Sequence, residues 1–81
     1  MPTIPDKPMN ARDVLDAYFL ETRAKLIEVA ANLDRVDRAP GSAEVREDER
    51  LRFVRGALEI LRSGEGNRTE LIQRLYSKDE R

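Results

Sequence analysis

Eighty-one residues leave room for one domain, near the lower size at which a single apolar core offsets chain entropy without cross-links. The chain has no Cys and no His, which removes disulfides, thiolate metal sites, the commonest nitrogen ligand and the usual general base. With 15 basic against 16 acidic residues and a net charge of -1, no long-range field steers it toward nucleic acid or anionic lipid, and the dense mixed charge reads as solubility.

Pro2, Pro5 and Pro8 recur every third residue, each removing a donor and biasing its predecessor away from helix, so residues 1–9 are predicted to form an extended or disordered arm. This start lacks the apolar stretch of a signal peptide, and no run of about 18 apolar residues follows. The cytoplasm is the expected location, with no membrane partner.

From Asn10 to Arg38 the chain has neither Pro nor Gly, and Leu15, Phe19, Thr22, Leu26, Val29, Leu33 and Val36 advance by alternate steps of four and three. That spacing predicts a helix over about 10–38 whose seam faces a partner along its whole length. Asn10 is a competent N-cap, and Asp13 favours the positive end of the helix dipole. Glu21, Lys25, Glu28, Asn32 and Arg35 form a solvated outer stripe, with Glu21 four residues before Lys25 in the favourable order. At 1.5 Å per residue the rod spans roughly 43 Å, more than a small chain needs to cover its own core.

Ala39-Pro40-Gly41-Ser42 stops this helix and turns the chain. A second helix, about 43–63, begins at Ser42 or Asp48, both good caps, through an acidic and loosely wound first turn. Leu51, Val54, Leu58 and Leu61 form its seam, broadened by Phe53, Ala57 and Ile60 into an arc wide enough for two neighbours. Ser63-Gly64-Glu65-Gly66 closes it. Asn67-Arg68-Thr69-Glu70 resembles a capping box and opens a short helix, about 68–77, with Leu71, Ile72, Leu75 and Tyr76 on its apolar side. No alternating strand pattern competes. The expected fold is all-α: one helical domain over 10–78 with a frayed tail at 79–81, arranged as an up-down-up three-helix bundle that grows by dimerisation.

Arg23 and Asp34 share a flank with Leu20, Ile27 and Ala30, which places ionic groups at the rim of an apolar arc. They are candidates for gripping a carboxylate or phosphate. The simpler alternative is an ion pair between helices, Arg23 with Glu47 or Glu59 and Asp34 with Arg38, Arg50 or Arg55, which sets register. Arg46, Arg50, Arg52 and Arg55, followed by a turn and a helix bearing Arg68, Thr69, Gln73 and Arg74, imitate a helix-turn-helix reader of DNA. Glu47, Asp48 and Glu49 interrupt the basic run, so counterion release would be small and nucleic acid is not the expected partner. A di-metal bundle site needs Glu-x-x-His pairs that a chain without His cannot supply, so neither metal nor cofactor is expected. Gly64 to Thr69 lacks the Gly-Lys-Ser/Thr ending of a phosphate loop. Tyr18 and Tyr76 read as half-buried rings with wet hydroxyls.

The segment from Ala17 to Arg38, AYFLETRAKLIEVAANLDRVDR, resembles small uncharacterised bacterial all-helical proteins of unknown function. The resemblance implies interest in Tyr18, Arg23, Asp34 and Arg35 and carries no activity, cofactor or substrate. From the residues themselves the expected function is a non-enzymatic homo-oligomer, most simply a homodimer. Its protein–protein interface is Leu15, Phe19, Leu26, Val29, Leu33 and Val36, meeting a second copy or a partner helix. The alternatives are an accessory or small-anion-binding protein that uses Arg23 and Asp34, and a helix-turn-helix nucleic-acid binder.

Overall fold

The computed structural model describes residues 9–79. The proline arm, apart from Met9, and the tail residues Glu80 and Arg81 lie outside the described residues. Three α-helices and one 3-10 turn account for the structure, with no strand among the described residues: α1, Ala11–Arg38; the turn, Ser42–Val45; α2, Glu49–Arg62; and α3, Arg68–Asp79. These elements fall into two compact units, one ending at Ala39 and the other beginning at Pro40.

The first unit is α1 alone. Asn10 and Asp13 close a full capping box, the Asn10 side chain accepting from the Asp13 N–H at 2.9 Å and the Asp13 carboxylate accepting from the Asn10 N–H at 3.4 Å. Two donors that a helix start leaves orphaned are thereby satisfied. The other end is set by Pro40, which holds Ala39 extended at ψ 147° while the Ala39 N–H still closes on the Arg35 and Val36 carbonyls. Along the solvated stripe Lys25 pairs with Glu21 at 2.8 Å, and Arg35 donates to Asn32. No side chain of α1 is buried.

The second unit opens on Gly41, at φ 84° in the left-handed region that glycine occupies without a Cβ penalty. Here the expected helix from about residue 43 is corrected. Ser42–Val45 winds as a 3-10 turn, and α2 starts only at Glu49, because the Asp48 carboxylate takes the Arg50 N–H at 2.8 Å and so caps the later start. The 3-10 turn has Gly41 at its cap and no side-chain capping bond. Arg55 donates back to the Arg46 carbonyl and ties the turn to α2.

The helix α2 ends one residue before the expected 63, with the Ser63 hydroxyl donating to the Ile60 carbonyl at 2.7 Å and Gly64 turning the chain at φ 83°. Arg68, the first residue of α3, sends its Nε to the Leu61 carbonyl at 3.1 Å, so one of the open carbonyls at the end of α2 is covered from the next helix. The helix α3 then runs to Asp79, two residues beyond the expected 77. Leu75 packs over Gly56 of α2: a Cβ built there would lie 2.8 Å from Cδ2, the movable end of the leucine side chain. Phe53, three residues earlier on the same stripe, meets Tyr76 edge to face at 5.4 Å between ring centroids.

Candidate functional site

The α1 seam is built from the same periodicity that makes the helix. Leu15, Phe19 and Leu26 are 61%, 52% and 53% exposed, Val29 is also exposed, and Leu33 and Val36 are half-buried. Thr22 is the one polar member of the series. Its hydroxyl donates to the Tyr18 carbonyl at 2.9 Å inside the same helix, so covering the seam leaves no donor stranded there. Each fully covered Leu, Val or Phe gains about 1.5–3 kcal/mol relative to water.

Arg23 and Asp34 are both exposed on one side of α1. Eleven residues separate them, a rise of about 16 Å. An anion held by Arg23 is therefore out of reach of Asp34. Asp34 meets Arg38 one turn on, at 3.9 Å, which is one of the pairs considered above, and no ion pair joins Arg23 to another described residue of α1. Their possible partners are engaged locally: Glu59 with Arg62 at 3.3 Å, Arg50 with Asp48 at 2.9 Å, and Arg55 with the Arg46 carbonyl.

The same local pairing marks the helix-turn-helix resemblance of the second unit. Arg68 is held by the Leu61 carbonyl, and Arg74 pairs with Glu70 at 2.7 Å. Two arginines of the would-be reading helix are thus spent on its own unit. Electrostatic perturbations are few and follow contacts. The Arg50 side chain and N–H bond the Asp48 carboxylate and pull its pKa to about 2. The hydrogen bond from Lys25 lowers Glu21, and the same bond raises Lys25.

Among the described residues no group of three or more acidic side chains is placed to hold a metal ion, and no helix is long and apolar enough to cross a membrane. No known protein family, curated protein or solved structure matches the chain. Function is therefore read from the residues alone.

One feature escaped the sequence reading. Gly56 sits in an otherwise apolar arc, and that lone glycine was the available signal for the Leu75 contact. Leu58 and Leu61, both in the predicted seam of α2, are exposed.

Proposed function

We propose that the chain is a non-enzymatic, homo-oligomeric helical interaction module whose α1 seam is covered by a second copy, the helices together completing a larger bundle. The observation that carries this reading is that α1 stands as a unit of its own with six large apolar side chains of Leu, Ile, Val and Phe open between Leu15 and Val29: Leu15, Phe19, Leu20, Leu26, Ile27 and Val29. A monomer that exposes so much contiguous apolar surface is rare, and a rimmed patch of this kind marks an association surface. The satisfied Thr22 hydroxyl and the balanced charge of the flanks support the same reading. Sedimentation velocity of the full chain from about 1 to 100 μM tests it: mass rising with concentration is expected, and a monomer throughout refutes it.

The anion-binding alternative draws support from an Arg23 that no ion pair joins to another described residue of α1, but the rise between Arg23 and Asp34 removes the pair as one small site. Nucleic-acid binding has no comparable observation in its favour.

A further inference from the structure

We propose that α1 associates with α1 of three further copies, parallel and in register, with the seam inward. This rests on the self-association argued above and adds its number and its direction. Written as a heptad, the seam places Phe19, Leu26 and Leu33 at the first core position and Leu15, Thr22, Val29 and Val36 at the second. Three of the four residues at the second position are β-branched, and none at the first is. A β-branched side chain fits poorly where its Cα–Cβ bond points straight at the facing helix. That is the second position in a two-stranded coil and the first position in a four-stranded one, so Leu at the first and β-branched residues at the second favour four strands over two.

Direction follows from charge at the edges of the seam. In a parallel, in-register pair each edge residue meets the residue five places later in its neighbour. Tyr18 then meets Arg23, Lys25 meets Ala30, and Asn32 meets Asp37, with no like charges opposed. Tyr18 and Arg23 are both exposed, and no ion pair joins Arg23 to another described residue of α1, so the guanidinium is available to the neighbouring ring. The antiparallel registers that keep most of the seam covered are worse. With Leu26 opposite Val29, Asp16 faces Asp37 twice; with Phe19 opposite Val29, Arg23 faces Arg23 and Lys25 faces Lys25 across the two-fold axis. Outside these edge pairs the parallel arrangement does bring the Arg12 side chains of the copies into one layer, at the outermost core position, where the open end lets their stems lie over Leu15 and their heads spread into water.

The test is the mass of the full chain by light scattering and sedimentation equilibrium at tens of micromolar, expected at four times the 9.3 kDa chain. Exchanging the two core positions in one variant, Leu26→Val, Val29→Leu, Leu33→Val and Val36→Leu, keeps the apolar content and is expected to halve that mass. Because the chain has no Cys, Arg12→Cys and Val36→Cys report direction without interference. Each variant alone is expected to form disulfide-linked pairs, and a mixture of the two to form no mixed disulfide. A stable two-chain mass overturns the number, and mixed Arg12–Val36 disulfides overturn the direction, while both leave self-association standing. A monomer at these concentrations overturns this proposal and the function it rests on together.

Discussion

The two units of this small protein solve the same problem differently. In the second unit, α2 spends one apolar stripe on α3, with Leu75 packed over Gly56 and Phe53 meeting Tyr76, and its stray polar groups are tied down by neighbours in the same unit. In the first, α1 has a longer and more regular stripe and no buried residue at all. Apolar periodicity makes a helix in both cases. What differs is that a complementary surface follows α2 within a short stretch of chain, in α3, inside the same unit.

The largest expected effect breaks the first half of this comparison. Phe19→Asp with Leu26→Asp puts two carboxylates into the seam, and association measured by sedimentation is expected to weaken at least about 100-fold, since burying an unpaired charge costs several kcal/mol. The α2–α3 contact is expected to stay intact in that variant, read from near-ultraviolet dichroism of Tyr76. Leu75→Ala tests the other half. It removes a side chain that packs over Gly56 in the α2–α3 contact, and a loss of about 1–3 kcal/mol in urea unfolding of the second unit is expected, with the oligomer mass unchanged. An equal loss of mass would show that the two units are not separable in this way.

Smaller effects sharpen the comparison at the helix ends. Asn10→Ala removes the capping box of α1 and is expected to cost about 1 kcal/mol of helix stability, seen as a lower melting midpoint and fraying at Asp13 in amide exchange. Asp48 offers a pH probe confined to α2. Its carboxyl is held at about 2 against an ordinary 3.8, so its folded value is the depressed one. The stabilisation is complete above pH 3.8 and is lost as pH falls toward 2. Helix content followed by circular dichroism is expected to decline over that window in the natural chain and to lose this component in Asp48→Asn. Least of all, Glu21→Gln breaks an exposed pair with Lys25 and is expected to leave the melting midpoint where it was.

Much of this was legible in the residues, and for specific reasons. The limits of α1 follow from two strong local signals, the Asn10–Asp13 box and Pro40, and neither depends on anything distant. The start of α2 was open between Ser42 and Asp48 because both are good caps. The choice fell to a contact that spacing does not show, the Arg50 guanidinium closing on the Asp48 carboxylate while its own N–H is capped. The seam of the candidate site was legible as periodicity. The ionic pairs around it were left open, since Asp34 and Glu59 each had several partners within sequence reach; Asp34–Arg38 is one of those considered, and Glu59–Arg62 is a local pair that was not.

One consequence of the Ala39–Pro40 joint reaches beyond stability. The ties described on either side of it close locally, Asn10 on Asp13, Ala39 on Arg35 and Val36, Arg50 on Asp48, and Arg68 on Leu61. The rod is therefore a cassette with its own start and stop. Spliced onto an unrelated protein, it would take both of its end signals along.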